Sequence, residues 1–201
     1  MDALDYPEGA TPLDPDELAG LKFKHVTTRG QLDHLEQANI QNGLRWLERR
    51  RNKGDVLHEG FVRELHEQLF GDVWSWAGTF RTTEKNIGID PRHISVQLRV
   101  LLGDMSYWIE NHTYDPAEMA VRLHHRLVYI HLFPNGNGRH ARIMADVVLT
   151  DLLKTQPLNW DGGQNLQAMS ERRRTYIQAL QQADRGDYRS LLEFVAVRAE
   201  T

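Results

Sequence analysis

The chain contains no cysteine among its 201 residues. Disulfide bonds and cysteine-ligated metal sites are therefore excluded, and the absence is typical of proteins from a reducing compartment. The sequence also has no apolar run long enough to span a bilayer, and its first residues lack the basic and apolar regions of a secretory signal peptide. We therefore expect a cytoplasmic protein that makes no membrane contact.

A strongly basic surface is also missing. The formal net charge is −4, and six of the 28 acidic side chains lie in the first 20 residues, which contain no lysine or arginine. The rest of the chain carries 24 basic against 22 acidic side chains. A body so close to neutral argues against nucleic acid as a direct partner. The triple arginines at 49–51 and 172–174 are typical of solvated helix faces.

Proline and glycine are concentrated at the start, which predicts an extended acidic leader over residues 1–30. From residue 31 to residue 201 most apolar residues recur at helical spacing, which predicts a single helical domain. The predicted helices cover residues 31–51, 61 to about 76–78, 98–109, 116–130, 143–152, 164–182 and 188–199. The helix through 143–152 is expected to start at the glycines just before it.

A different pattern separates the second and third of these helices. Between residues 79 and 94, β-branched residues are separated by turn residues such as Asn86, Gly88 and the Asp90–Pro91 pair. This arrangement predicts a short β-hairpin or an irregular loop.

The stretch from His131 to Arg142 combines an imidazole, two glycines and two arginines. Gly136 and Gly138 let backbone N–H groups approach a ligand closely, and a loop that leads into a helix N-terminus is a ready anion site. Arg139 and Arg142 are three residues apart, so they would share a helix face and are suited to bind phosphate oxygens. His131 is suited to take a proton from an attacking hydroxyl group. The alternative is a pair of Asn-Gly turns that only joins two helices.

This stretch resembles the signature of the Fic family, in which a histidine, a phenylalanine, an acidic residue, Gly-Asn-Gly-Arg and a second arginine follow at fixed spacing. The residues in register with that signature are His131, Phe133, Gly136, Asn137, Gly138, Arg139 and Arg142. Further similarity covers residues 76–81 and 176–187. The leader and residues 36–40 are similar to the subgroup called mobile mystery protein B. The resemblance therefore extends over nearly the whole chain.

The resemblance implies an all-α, Fic-type helical domain with a short β-hairpin flap over residues 86–94. It also implies a protein adenylyltransferase, which moves AMP from ATP to a Ser, Thr or Tyr hydroxyl of a target protein. His131 would be the general base, and Phe133 a buried wedge that anchors the loop. The implied nucleotide-binding residues are Asn135, Gly136, Asn137, Gly138, Arg139, Arg142 and Tyr176. The flap would align the target by backbone pairing, or else be an ordinary surface hairpin.

Asn135 departs from the family pattern, which has Asp or Glu at this position to help hold Mg²⁺. An amide oxygen is a neutral and weaker magnesium ligand than a carboxylate. ATP phosphates and water would then supply most ligands of the metal, with Asn135 as a weak one, and we expect less efficient turnover.

Glu36 lies on the first predicted helix, which as residues 31–52 would be an inhibitory or a flanking helix. In many Fic proteins the glutamate of an inhibitory helix pairs with the second signature arginine, here Arg142, and blocks the γ-phosphate of ATP. Leu32 and Gln37 differ from the Ser or Thr and the Gly or Asn of that helix. The alternative is a solvent-facing helix carboxylate.

Two other functions stay open: a Doc-like phosphotransferase, or a weakly active nucleotide-binding interaction protein. Gly138 and Arg139 favour the nucleotidyl-transferring branch over the Doc branch. The subgroup resemblance further implies a bacterial gene pair of the toxin–antitoxin kind, with a small DNA-binding partner protein. A zinc site is disfavoured, because the histidines at 124, 125, 131 and 140 include no helical His-x-x-x-His pair with a carboxylate.

Overall fold

The computed structural model describes residues 13–50, 56–160 and 170–196, and within these ranges the chain is all-α, as predicted. Its helices are α1 (Pro15–Leu18), α2 (Arg29–Arg49), α3 (Glu59–Phe70), α4 (Ile94–Asn111), α5 (Pro116–Ile130), α6 (Asn137–Val147), α7 (Glu171–Ala183) and α8 (Arg189–Ala196). A 3₁₀ turn, Pro91–His93, precedes α4, and a π-helical turn, Val148–Leu152, continues α6. In this described part of the chain, no helix combines the length and apolarity needed to cross a membrane.

Local capping sets the ends of the first long helices. α2 begins at Arg29, two residues before the predicted start, because the side chains of Thr28 and Gln31 form a reciprocal capping box. α3 ends at Phe70, before the predicted end, and the chain then turns so that the Trp74 indole is buried.

The helices around the signature stretch follow the sequence closely. α5 begins at Pro116, as the Asp115–Pro116 pair predicts, and α6 begins among the glycines. α7 begins at Glu171, where the Ser170 side chain accepts a hydrogen bond from the backbone of Arg173. The earlier residues predicted for this helix, 164–169, lie outside the described residues, as do residues 197–199 of the predicted last helix.

The α5–α6 pair lies between two hydrophobic clusters. The larger cluster packs α2, α3 and α4 against α5 and α6 and includes Leu32, Phe61, Leu65, Leu98, Leu123, Leu127 and Met144. The smaller cluster packs α7 and α8 against the same pair and includes Ala120, Val121, Ala145, Tyr176, Leu191 and Phe194. Because both helices are packed on two sides, the loop that joins them is held on a rigid support.

The described part of the leader is more structured than the predicted extended segment. α1 is a single helical turn, and Leu21 forms an isolated antiparallel bridge with Trp74. Lys85, the residue before the expected flap, places its ammonium against the carboxylates of Asp14 and Glu17. The leader therefore packs on the segment that leads to α4.

The expected β-hairpin of the flap is wrong, and the irregular loop is the alternative that forms. Residues 79–90 contain no strand, although every one of them is described. Gly88 has a φ of +105°, and Asp90 begins the 3₁₀ turn, so the chain leaves extended geometry within a few residues. The carbonyl groups of Thr83 and Ile89 accept hydrogen bonds from a side chain, Arg81, rather than from an opposing strand.

Candidate active site between helices α5 and α6

The loop from His131 to Gly136 joins the two central helices. His131 ends α5 in the left-handed conformation, with φ +57° and ψ +68°, and its N–H donates to the carbonyl of Leu127 at 3.1 Å. A left-handed residue at this position is a common helix ending, although glycine is the usual choice. The imidazole is therefore fixed at the boundary between a helix and a loop, as the sequence predicts.

Phe133 fixes the floor of the loop, which confirms its expected role as a buried wedge. Its ring is fully buried and stacks on the imidazole of His66, with 3.7 Å between ring centroids. The Nδ1 atom of His66 accepts from the N–H of Gly78, so Nε2 carries the proton and donates to the carbonyl of Asn135 at 3.0 Å. Burial holds the pKa of His66 well below its usual value, so the ring is neutral.

The Asn137 side chain closes the loop on itself. Its Oδ1 accepts from the N–H of Phe133 at 2.9 Å, and its Nδ2 donates to the carbonyl of the same residue at 2.7 Å. Both polar ends of this buried amide are thus used inside the protein. Asn137 is able to contact a ligand through its backbone N–H, while its side chain shapes the loop.

The first turn of α6 has the features of an anion site. Gly136 is the N-cap residue, with φ +77°, and none of the described side chains caps this helix start. A Cβ atom at Gly136 would lie 2.7 Å from the ring of Phe70, so only glycine fits. The N–H groups of a first turn point out of the helix at its positive end, where an anion is stabilised.

The two signature arginines have different surroundings. The Nη1 atom of Arg139 lies 2.7 Å from the Oε2 atom of Glu36, and its guanidinium covers the Phe70 ring at 4.7 Å. The guanidinium of Arg142 lies 5.8 Å from the centre of the Tyr176 ring on α7. One arginine therefore contacts α2, and the other contacts α7.

Glu36 is buried, with 2% of its surface exposed, so the solvent-facing alternative is wrong. Its Oε1 atom accepts a hydrogen bond from the indole N–H of Trp74 at 2.7 Å, and its Oε2 atom pairs with Arg139. The expected pair with Arg142 is also wrong, because Arg142 is directed toward Tyr176. The glutamate thus neutralises the arginine in the first turn of α6.

His131 is almost completely covered, with 4% of its surface exposed. Burial is the main cause, and the charge of Arg81 the second, of a fall in the pKa of His131 to about 3. The imidazole is therefore neutral at pH 7, which is the state that accepts a proton. A Cβ atom at Gly88 would come within 2.6 Å of the Cβ atom of His131, so the flap segment lies directly on this residue.

Tyr176 lies close to the same helix start. Its hydroxyl group is 2.9 Å from Nε2 of His124, and it would be 3.9 Å from a Cβ atom at Gly138. Burial raises the pKa of the Tyr176 phenol, so it stays neutral. The structure thus brings Tyr176 and Arg142 to the α7 side of the anion site and Arg139 and Glu36 to its α2 side.

Three residues that support the site were not identified as site residues from the sequence: His66, Trp74 and Arg81. His66 and Trp74 support Asn135 and Glu36, respectively, and Arg81 donates to the carbonyl of His131 at 2.6 Å. Only Arg81 lay in a stretch with family similarity, residues 76–81. These residues are joined to the site through contacts between distant parts of the chain.

The protein side of the site provides little for a metal ion. The Oδ1 atom of Asn135 accepts from the N–H of Gly136 at 2.6 Å, so this neutral oxygen already serves the loop. Across the described ranges, no three His, Asp or Glu side chains are grouped to hold a metal ion. Magnesium prefers anionic oxygens, so the residues present do not fit a dedicated magnesium site.

Comparison with known proteins places this fold and site in a family. Residues 56–149 match the model of the Fic/DOC family, and this region runs from before α3 to the π-helical turn after α6. Residues 56–149 therefore belong to the Fic/DOC family.

Similar curated proteins include adenylyltransferases of animals. The chain is 29% identical over 147 residues to protein adenylyltransferase fic-1 of Caenorhabditis elegans, covering 69% of this chain and 26% of that protein. It is 26% identical over 149 residues to protein adenylyltransferase Fic of Aedes aegypti, covering 72% of this chain and 28% of that protein. The chain therefore spans about a quarter of the length of these relatives.

Solved structures show the same fold. Residues 134–508 of Fic-1 from C. elegans superpose with a TM-score of 0.67 and 26% identity, over 89% of this chain and 51% of that one. The Bartonella tribocorum effector BepC, solved with bound AMPPNP, gives a TM-score of 0.64 at 14% identity, over 90% of this chain and 96% of that one. The BepC match supports the fold alone.

Proposed function

We propose that this protein transfers AMP from ATP to a Ser, Thr or Tyr hydroxyl of a target protein. The observation that carries the proposal is the position of a neutral, buried His131 only six residues before the first residue of α6, a helix start that no described side chain caps. A base next to an anion site is the minimum that transfer of a phosphorus group to a hydroxyl requires. The names of the curated relatives favour adenylyl over phosphoryl transfer.

In the proposed reaction the target hydroxyl gives its proton to His131 as its oxygen bonds to the α-phosphorus. The bond from that phosphorus to the bridging oxygen breaks, and pyrophosphate leaves. The N–H groups of Asn137, Gly138 and Arg139 would face the phosphate oxygens, and the Arg139 and Arg142 guanidinium groups would balance their charge. A bound triphosphate would also raise the pKa of His131 from about 3, which makes it a stronger base when substrate is present.

Magnesium would enter this site with the nucleotide. Because the Asn135 oxygen serves the Gly136 N–H, the phosphates and water would be the main ligands of the metal. Replacing Asn135 with Asp adds an anionic oxygen at that point, and we expect the Mg²⁺ concentration for half-maximal transfer to fall. An unchanged magnesium dependence in Asn135→Asp would show that this position does not contact the metal.

Parallel reactions with ATP labelled at the α- or the γ-phosphate test the proposed function. The protein is incubated with each nucleotide, alone and with a cell lysate, and labelled proteins are separated and weighed by mass spectrometry. Adenylyl transfer predicts label from the α-phosphate only, and an added mass of one AMP. Label from the γ-phosphate only would establish the Doc-like reaction instead, and the absence of both would leave a nucleotide-binding protein.

Glu36 is the proposed internal restraint on this activity. Its carboxylate occupies Arg139, so a nucleotide phosphate has to compete with a buried ion pair for that guanidinium. We expect Glu36→Gly to increase automodification, with an affinity for an ATP analogue about tenfold higher, which is about 1.4 kcal/mol. Gln41→Gly is the control, because Gln41 is exposed on the same helix, lies outside the inhibitory-helix pattern, and its replacement has a similar helix-weakening effect. Equal activation by both variants would assign the effect to α2 stability and contradict the restraint.

The partner and setting are inferred from the subgroup resemblance. We place the protein in a bacterial cytoplasm, where ATP is available, as one member of a toxin–antitoxin-like gene pair with a small DNA-binding protein. Co-expression of the neighbouring gene with a tagged copy of this chain tests that arrangement. Failure of the two products to co-purify would contradict it.

A further inference from the structure

Arg81 makes the densest set of hydrogen bonds around the α5–α6 loop. Its side chain is 3% exposed, and its Nε atom donates to the carbonyl of His131 at 2.6 Å. Its Nη2 atom donates to the carbonyls of Ile130, at 3.3 Å, and Ile89, and its Nη1 atom donates to the carbonyl of Thr83 at 2.8 Å. These four acceptors are all backbone carbonyls, and they come from two different segments.

Two of the acceptors belong to the end of α5. The last carbonyls of a helix lack partners within the helix and form its negative end. The guanidinium of Arg81 satisfies the carbonyls of Ile130 and His131 and brings a positive charge to that end. In addition, the N–H of Arg81 donates to the carbonyl of Leu132 at 3.0 Å. Arg81 thus holds His131 in its left-handed conformation from the carbonyl side.

The other two acceptors belong to residues 83–89, a loop that overlaps the start of the expected flap at 86–94 and is called the flap segment below. This segment has no strand partner in the described structure. Its carbonyl groups bond to the Arg81 guanidinium where a strand would bond to a neighbouring backbone. Gly88 lies directly against both His131 and Arg81. A Cβ atom at this position would be 2.6 Å from Cβ of His131 and 2.7 Å from Nη2 of Arg81, so there is no room for a side chain. The same guanidinium therefore fixes both the histidine and the segment that covers it.

We infer that Arg81 is a positioning residue, which sets the spacing between His131 and the flap segment so that a target hydroxyl meets the imidazole. The inference rests on the proposed function for its effect on transfer, but the coupling of the two segments is a property of the fold. Arg81 acts through backbone carbonyls and contacts no reacting atom. A planar fork with five donors is needed to reach acceptors on both sides, and the single ammonium group of lysine cannot replace it.

Arg81→Lys and Arg81→Met test this inference, and Arg92→Lys and Arg92→Met are the matched controls. Arg92 lies three residues after the flap segment, but its side chain is 84% exposed and pairs only locally with Asp90 among the described residues. The first measurement is hydrogen exchange of the backbone amides, with thermal unfolding to confirm that each variant folds. We expect both Arg81 variants to exchange faster in residues 83–89 and in residues 131–133 together, and the Arg92 variants to match the wild type.

The second measurement separates nucleotide binding from transfer. Because Arg81 holds the α5 end rather than the α6 start, affinity for an ATP analogue should stay within twofold while the transfer rate falls about a hundredfold, as expected for a misplaced reacting group. Arg81→Lys should not restore the rate. Unchanged exchange in either segment, or full activity in Arg81→Lys, would overturn the inference. If wild-type protein transfers nothing, the proposed function fails, and the exchange result still decides the role of Arg81.

Discussion

The two helix ends that meet at the His131–Gly136 loop differ in how their backbone polar groups are bonded. The negative end of α5 receives a cation from within the protein, because Arg81 donates to the carbonyls of Ile130 and His131. The positive end of α6 begins at Gly136, and no side chain in the described ranges caps it. The carbonyl groups at the α5 end, which holds the proposed base, are thus satisfied by a protein side chain. The N–H groups at the α6 start are suited to bind an anionic ligand instead.

A loop of six residues therefore connects a helix end that holds the proposed base to a helix start that is suited to bind an anion. At the α5 end, polar groups are satisfied internally, which fixes the imidazole but buries it. At the α6 end, backbone N–H groups face outward, and the charge of the nearby Arg139 is balanced by Glu36. Substitutions at the α5 end should therefore affect proton transfer and geometry, whereas substitutions at the α6 start should affect affinity for the nucleotide.

The largest expected effect is the loss of the base in His131→Ala. We expect transfer to fall about a thousandfold, within the usual range for a general base, while affinity for an ATP analogue is retained. Label transfer and analogue binding measured on the same preparation check this result.

His140→Ala is the matched control for this loss. His140 is equally buried, but its Nε2 atom donates to the carbonyl of Val62 on α3, away from the loop carbonyls. We expect that variant to lower thermal stability while keeping transfer per folded molecule. An equal loss of transfer in His131→Ala and His140→Ala would contradict the assignment of His131 as the base.

The next effect concerns the two glycines at the α6 start. Gly136→Ala should lower the free energy of unfolding by about 3 kcal/mol, since the residue has φ +77° and its Cβ would overlap the Phe70 ring. Gly138→Ala should leave stability within about 1 kcal/mol, because its Cβ would meet only Arg142, at 3.7 Å, and the Tyr176 hydroxyl group.

Measuring both stability and nucleotide affinity in Gly136→Ala and Gly138→Ala separates a packing role from a ligand-binding role. Denaturant unfolding should separate the two variants, and titration with an ATP analogue should show weaker binding by Gly138→Ala, whose methyl group narrows the approach to the backbone. Normal binding and reduced stability in Gly138→Ala would show that this glycine serves packing and not a ligand.

The sequence predicts what is local in this site and misses what depends on packing. His131, Gly136 and Gly138 are marked in the sequence by their spacing and by its resemblance to the Fic signature, because a helix end, a turn and a helix start are set by neighbouring residues. The Glu36–Arg139 pair joins residues 103 positions apart, and the Arg81–His131 contact spans 50 positions. Local periodicity carries no information about such contacts. The flap differs from its prediction for a related reason. Its turn residues suggested a hairpin, but its carbonyl groups bond to the Arg81 side chain, which also bonds to the end of α5, instead of to an opposing strand.

The smallest predicted effect lies at the other end of α6, where Asp146 sits near the negative pole of the helix. Burial is the main cause that raises its pKa to about 6, although its Oδ1 atom accepts from the Trp160 indole at 3.0 Å and from the Leu158 N–H at 3.1 Å. A folded-state pKa above the unfolded value of 3.8 means that the folded protein binds this proton more tightly. The group therefore lowers stability progressively as the pH rises from 4 to 6, and its full cost is present above pH 6.

Asp146→Asn keeps an oxygen acceptor for both hydrogen bonds and removes the charge. The variant should match the wild type near pH 4 and exceed it by about 2 kcal/mol at pH 7. This is less than the roughly 2.7 kcal/mol that a two-unit difference in pKa corresponds to, because Asp146 is only partly buried. Urea unfolding at pH 4, 5, 6 and 7 measures the difference, with Asp104→Asn as a control at an exposed carboxylate. A constant difference across this range would mean that Asp146 does not titrate here. Arg81 and Asp146 both lie at C-terminal helix ends, with opposite charges: the Arg81 guanidinium complements the dipole of α5 next to His131, whereas the Asp146 carboxylate opposes the dipole of α6 at the end remote from the loop.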